Sequence, residues 1–163
     1  MRFLNFQKVL CLSPHPDDVE VGMMGSVIKH QDTHFDILCL TKGGAKGFDS
    51  TNQQDRRGEV DSVWNTLDIK NTSILHSKYD YFEDTNEPGW INYIENDFIK
   101  KNDYDCIFIP TTDDSMFEHR FVHKFGSALC RFSLISLIEY HAFSTCLLYT
   151  SDAADEGLGV DLG

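Results

Sequence analysis

The sequence predicts an α/β fold, a Rossmann-like doubly wound layer with a mainly parallel sheet. Short apolar segments of strand length alternate with segments whose apolar residues recur at helical spacing. This alternation is typical of parallel sheets covered by helices. The clearest strand, residues 105–110, contains the unbroken apolar run Ile107, Phe108 and Ile109, as expected for a strand buried on both faces. The 163 residues are enough for one domain.

The first half of the chain predicts two strands, each followed by a helix. Residues 8–13 are a short apolar segment that ends at the prolines and aspartates of residues 14–18, which stop a strand and supply helix caps. Residues 19–30 follow with apolar residues at helical spacing. A second apolar strand, residues 35–41, leads into a glycine-rich loop, and residues 53–67 have a helical pattern.

The second half predicts three further strands and two helices. Residues 72–76 form a short strand, and a turn-rich segment separates it from a helix over residues 90–100. The buried strand at 105–110 precedes a helix over 119–131, and residues 134–140 form the fifth strand. Because ligands bind beyond the carboxyl ends of parallel strands, we expect the segments that follow the strands to converge on one edge.

Acidic residues dominate the charge, since 26 Asp and Glu against 14 Lys and Arg give a formal net charge of −12. Such a surface repels phosphate backbones and anionic lipid, so neither nucleic acid nor a membrane is expected as a partner. The five cysteines form no Cys-x-x-Cys motif, and no segment resembles a signal peptide or a membrane span. A cytoplasmic location is therefore expected.

The last part of the chain differs in character. Residues 146–156 resemble the conceptual translation of a transposon-type sequencing adapter, and the alternative is an ordinary acidic tail. On the first interpretation, residues 146–163 are non-native and residues 1–145 hold the domain. The native chain would then continue beyond Thr145, and the fold would be C-terminally truncated.

The strongest chemical signal is His15-Pro16-Asp17-Asp18, directly after the first strand. An imidazole and two carboxylates on a rigid turn can place His15 and Asp18 on one cation, with Asp17 facing the reacting water. Zinc accepts nitrogen and oxygen ligands and keeps an open position in catalytic sites. The same residues could form an ordinary turn with an aspartate cap, so a third ligand is needed.

His119 is the favoured third ligand because it begins a helix after the strand that ends at Pro110. His123 is the competitor, since residues four apart share a helix face. The apolar neighbours Phe121 and Phe125 indicate that this helix is partly buried, with His123 one turn deeper. His123 is then expected to support the ligand or to pack in the core.

Three segments and one further residue of the chain resemble the PIG-L/LmbE-like zinc deacetylases, which remove an acyl group from N-acetylglucosamine-type sugars. Residues 13–22 resemble the opening motif of this family, and residues 56–59 resemble its Arg-x-x-Glu helix. Asp80 occupies the place of an acidic residue after the third strand, and residues 114–120 resemble the second metal motif. The resemblance covers residues 8 to about 145.

The resemblance implies a zinc-dependent hydrolase that removes an acetyl or acyl group from an N-acetylated amino sugar or its conjugate. His15, Asp18 and His119 would bind zinc or another divalent metal, and Asp17 would be the general base. The small-molecule amino sugar would be the partner. Substrate contacts are expected from five further residues: Arg56, which could instead only pair with Glu59, and Asp80, Arg120, His123 and His141.

Met116 departs from the family, which often has at this position a histidine thought to steady the developing oxyanion. A thioether cannot donate a hydrogen bond, and losing one such donor costs about 10²–10³ in rate in other enzymes. Arg120, His123 or His141 could replace it, or the metal alone could bind the amide. The alternative function is a non-catalytic, metal-containing module that binds a sugar or nucleotide-sugar.

Overall fold

The computed structural model describes residues 6–44, 46, 55–67, 69–131 and 134–142. Within them, the strands are β1 (Lys8–Ser13), β2 (His34–Cys39), β3 (Thr72–His76), β4 (Cys106–Pro110) and β5 (Ser136–Tyr140). The helices are α1 (Asp18–Lys29), α2 (Arg57–Leu67), α3 (Glu87–Asp97) and α4 (Phe117–Ala128), with 3₁₀ turns at Phe82–Asp84 and Ile99–Lys101. The proposed non-native tail and the boundary at residue 145 lie outside the described residues.

The five strands form one sheet in the order β3-β2-β1-β4-β5, and every pair is parallel. From β1 the chain adds β2 and β3 on one side of β1, and it then crosses over to add β4 and β5 on the other side. The predicted doubly wound α/β layer is therefore confirmed. Parallel pairing brings all carboxyl ends to one edge of the sheet. The switch in direction lies between β1 and β4, where open α/β sheets bind ligands.

Two apolar clusters cover the two faces of the sheet. Successive strand residues point to opposite faces, so Leu10 packs against α3 and α4 while Val9 packs against α1 and α2. Trp90 of α3 is fully buried and stacks on Phe125 of α4, with ring centroids 5.8 Å apart. Burial of each such side chain stabilises the fold by about 1.5–3 kcal/mol.

The predicted boundaries of two helices are too late in the chain. α3 begins at Glu87 rather than at residue 90, because the Asn86 side chain accepts the Gly89 N–H at 2.9 Å and Pro88 occupies the first turn. α4 begins at Phe117, two residues before the predicted start.

Among the described residues, no helix combines the length and the apolar character needed to cross a bilayer.

Gly22 lies where α1 passes closest to the end of β5. A Cβ at this position would lie 2.7 Å from the His141 carbonyl oxygen and 2.7 Å from the ring of Tyr140, whose hydroxyl donates to the Leu12 carbonyl. We expect Gly22→Ala to lower the free energy of unfolding by about 1–3 kcal/mol, because backbone atoms have to move.

The matched control for this change is Gly25→Ala in the same helix. A Cβ at Gly25 would meet nothing within 4 Å, so the higher helix propensity of alanine should stabilise the protein by about 0.5–1 kcal/mol. Equilibrium urea unfolding of both variants measures the difference. Effects of equal sign and size would contradict the close approach of α1 to β5.

Candidate metal centre

Three residues from two distant parts of the chain meet at the carboxyl edge of the sheet. His15 follows β1, Asp18 begins α1, and His119 lies in the first turn of α4. One nitrogen or oxygen atom from each of the three lies within 4.8 Å of the others. These are the three metal ligands predicted from the sequence. Their spacing allows all three to reach one ion.

Hydrogen bonds of the loop after β1 hold His15 and Asp18 in place. The Ser13 hydroxyl donates to the His15 carbonyl at 2.7 Å, and the His15 backbone N–H donates to Asp18 Oδ2 at 2.7 Å. The Thr41 hydroxyl donates to the Pro14 carbonyl at 2.9 Å and so ties this loop to the end of β2. These three hydrogen bonds define the shape of the loop.

His119 is fully buried, and both of its ring nitrogens face carboxylates. Nδ1 pairs with Asp114 Oδ2, while Nε2 lies 3.2 Å from Asp18 Oδ1 without forming a hydrogen bond. A buried polar atom that has no partner is costly. Two carboxylates around one buried imidazole also require a positive charge. A metal ion between His119 and Asp18 would meet both requirements, so the residues present fit a metal.

The pKa values of Asp18 and His119 are shifted by the neighbouring imidazoles and carboxylates. Burial raises the pKa of the Asp18 carboxyl, but the adjacent His119 and His15 side chains lower it from 3.8 to about 2. Burial alone would lower the pKa of His119, but the carboxylates of Asp18 and Asp114 outweigh burial and raise this pKa above its usual value. Asp18 is therefore ionised at neutral pH, as an oxygen ligand to a metal must be.

Asp17, the predicted general base, lies between two of the three residues in sequence and extends toward solvent. Its backbone has a φ of 110°. Residues other than glycine rarely adopt such an angle, which costs about 1–3 kcal/mol. Its carboxylate accepts a hydrogen bond from Arg56 Nη2 at 2.8 Å. Arg56 also contacts Glu59, with Nε 3.2 Å from Oε2. Arg56, the residue before α2, thus contacts Asp17 as well as Glu59 of α2.

Asp80, a predicted substrate contact, belongs to an ion-pair network at the ends of β2 and β3. One carboxylate oxygen accepts from Arg57 at 3.0 Å, and the other lies 3.6 Å from Lys42 Nζ. The Lys42 N–H also donates to the Asp80 carbonyl at 3.1 Å. Asp80 therefore ties the segment after β3 to the segment after β2 and to the start of α2.

Three other predicted substrate contacts lie around α4 and β5. Arg120 is exposed, and its guanidinium donates to the Asp114 carbonyl. His123 Nδ1 lies 3.0 Å from the Pro110 carbonyl oxygen, which can only accept, so Nδ1 carries a proton. His141 follows β5 and is exposed. Their contact with a substrate stays a prediction.

Asp114 is the residue whose importance the sequence does not reveal. Its Oδ2 orients His119, and its Oδ1 accepts the Met116 N–H at 2.8 Å. Histidine ligands of metals commonly pair their second nitrogen with a carboxylate in this way. The available signal was the place of Asp114 at the start of the second motif, five residues before His119.

We expect Asp114→Asn to weaken zinc binding by about 10–100-fold, because an amide orients and polarises the imidazole less than a carboxylate does. Asp113→Asn is the matched control, since Asp113 is the exposed neighbour in the same loop, and its zinc affinity should not change. Competition with a chromogenic chelator measures both affinities. Equal affinities in the two variants would contradict the role assigned to Asp114.

Comparison with known proteins agrees with the motifs. The sequence pattern of the GlcNAc-PI de-N-acetylases, PIG-L, matches residues 10–130. The diacetylchitobiose deacetylase of Thermococcus kodakarensis is 44% identical over 43 residues, which are 25% of this chain and 16% of that protein. The family match therefore extends across both metal motifs.

Solved structures share the fold at lower identity. The N,N′-diacetylchitobiose deacetylase of Pyrococcus horikoshii is 21% identical, with a TM-score of 0.62 over 85% of this chain and 62% of that one. A zinc-inhibited form of a teicoplanin deacetylase is 12% identical, with a TM-score of 0.64 over 84% of this chain and 68% of that one. The chain thus spans less than two thirds of the Pyrococcus protein.

Proposed function

Because the chain belongs to the PIG-L family of GlcNAc-PI de-N-acetylases, we propose that it is a zinc-dependent N-deacetylase. The domain that carries this activity would occupy residues 1–145. The observation that carries the proposal is the group formed by His15, Asp18 and His119, in which the buried Nε2 of His119 has no hydrogen bond and faces a carboxylate. Asp17 directly precedes Asp18 in the chain.

Two imidazoles and one carboxylate are a ligand set that suits zinc in catalytic sites. A zinc ion held there would polarise the amide carbonyl of a substrate and lower the pKa of a water molecule. Another divalent metal could occupy the same set of ligands. Zinc is favoured because the imidazoles of His15 and His119 are borderline-soft nitrogen donors, and the carboxylate of Asp18 completes a three-ligand site.

Asp17 would act as the general base. A carboxylate there can accept the proton of the attacking water and pass it to the departing amine, which leaves as the C–N bond breaks. The hydrogen bond from Arg56 restrains the orientation of the carboxylate. Products would be acetate and the free amino sugar.

The proposed substrate class is an N-acetylated amino sugar or a conjugate of one. The support for it is the family, and the two relatives named for action on diacetylchitobiose. Cys11, Cys39, Cys106 and Cys130 are free thiols, which fits a reducing compartment. We therefore place the activity in the cytoplasm.

Metal analysis together with acetate release tests this function. The purified chain should contain about one zinc and release acetate from N-acetylglucosamine or diacetylchitobiose. A chelator should abolish release, and added zinc should restore it. His119→Ala should bind no zinc, whereas His30→Ala, which removes a histidine at the far end of α1, should behave like the wild type. A chain that binds no zinc and releases no acetate would contradict the proposal.

A further inference from the structure

The ring of Phe82 lies against His15, one of the three predicted metal ligands. The two rings meet edge to face, with centroids 6.0 Å apart and an interplanar angle of 89°. Phe82 is buried, and it also packs on Trp90 and Phe121, with centroid distances of 5.6 Å and 5.8 Å. Phe82 therefore joins His15 to the apolar cluster that covers the α3 and α4 face of the sheet.

The two histidines of the candidate centre differ in what holds their rings. His119 Nδ1 pairs with Asp114, which is not one of the three predicted ligands. In the part of the chain that the structure describes, the His15 ring makes its polar contact with Asp18, whose Oδ2 lies 3.3 Å from Nδ1. Asp18 is itself a predicted ligand. Metal-binding histidines are usually oriented by a group outside the ligand set, and the group of this kind that touches the His15 ring is Phe82.

The 3₁₀ turn that carries Phe82 is held by hydrogen bonds on both sides. The Trp90 indole N–H donates to the Phe82 carbonyl at 3.3 Å. Asp84 Oδ2 accepts the backbone N–H groups of Asp80 and Tyr81 at 3.0 Å and 2.9 Å. Because the backbone is held and the ring is packed on Trp90, Phe82 presents a fixed surface to His15.

We propose that Phe82 is a positioning residue of the metal centre, whose ring fixes the orientation of the His15 imidazole and covers one side of it. This inference rests on the proposed function, because it requires a metal at His15. An imidazole binds a metal through a nitrogen lone pair in the plane of its ring, so a ring free to rotate binds more weakly. Apolar side chains around a metal site also limit the access of water.

Phe82→Leu tests this role, because leucine keeps much of the apolar volume but has no ring to lie against His15. Zinc affinity, measured by competition with a chromogenic chelator, should fall by about tenfold or more, as for the loss of other groups that orient a ligand. Phe98→Leu is the matched control. Phe98 follows α3 and meets Tyr93 edge to face at 5.5 Å, so this variant also loses an aromatic contact of the same cluster, but its zinc affinity should equal that of the wild type.

The visible spectrum of the chain loaded with Co²⁺ gives a second measurement, because the absorption bands of the ion depend on its coordination geometry. The bands should change in Phe82→Leu and stay as in the wild type in Phe98→Leu. Zinc affinity and Co²⁺ bands that are unchanged in Phe82→Leu would overturn the positioning role and leave the proposed deacetylase intact. Equal losses of affinity in both variants would overturn it as well, since they would follow from stability alone. A wild-type chain that binds no zinc would instead contradict the proposed function.

Discussion

Asp17→Asn is expected to reduce acetate release by about 10²–10⁴-fold while zinc stays bound. Asparagine has nearly the shape of aspartate, and its side-chain oxygen can still accept the hydrogen bond from Arg56. It cannot take a proton from water, which is the step assigned to Asp17. Asparagine also tolerates positive φ angles better than most residues, so the strained backbone at this position should persist.

The measurement is kcat for acetate release, together with zinc content and melting temperature. Glu59→Gln is the matched control, because Glu59 is the other carboxylate that contacts Arg56 and its side chain is 63% exposed. This control removes one negative charge from the same ion-pair group, and its kcat should stay within about twofold of the wild type. Unaltered turnover in Asp17→Asn would contradict the assignment of the base.

Most of the fold could be predicted because its strands are short apolar segments, and buried parallel strands have this simple signature. The start of α3 was missed because it depends on a cap. Asn86 and Pro88 follow a turn-rich segment whose apolar residues do not indicate a helix. The start of α3 is therefore set by its cap residues and not by the spacing of its apolar residues.

β2 shows a second limit of such patterns. Asp36 is buried within this apolar strand, where its carboxylate accepts from Tyr104 Oη at 2.6 Å and lies 3.1 Å from Lys8 Nζ. Burial raises the pKa of Asp36, but these two partners lower it overall. His34, two residues earlier in the same strand, also contacts Asp36, with Nε2 3.0 Å from Oδ1. Tyr104 and Lys8 are distant in sequence, so the local pattern reveals only one of the three partners.

The grouping of His15, Asp18 and His119 could be predicted because the motif chemistry and the sheet topology agree. His15 and Asp18 follow β1, and His119 follows β4, which is its neighbour in the sheet. The partners of these residues required the tertiary structure. The approach of Arg56 to Asp17 depends on how α2 packs against α1, and the pairing of Asp114 with His119 depends on the shape of the loop before α4.

Met116→His is expected to raise acetate release by about 10²–10³-fold. The resemblance assigns this position to a hydrogen-bond donor for the oxyanion, and a thioether cannot donate. Residue 116 caps α4, and its N–H is held by Asp114, the same carboxylate that orients His119. A histidine there would thus project from a backbone already fixed relative to the metal-binding residues.

Met116→Leu is the matched control, because leucine is as apolar as methionine and likewise has no donor, so its rate should equal that of the wild type. Both variants should keep the zinc affinity of the wild type, since residue 116 is not among the three predicted ligands. A gain confined to the histidine variant identifies a weakened enzyme whose binding machinery is intact. A rate unchanged in both would contradict the assignment of an oxyanion donor to residue 116.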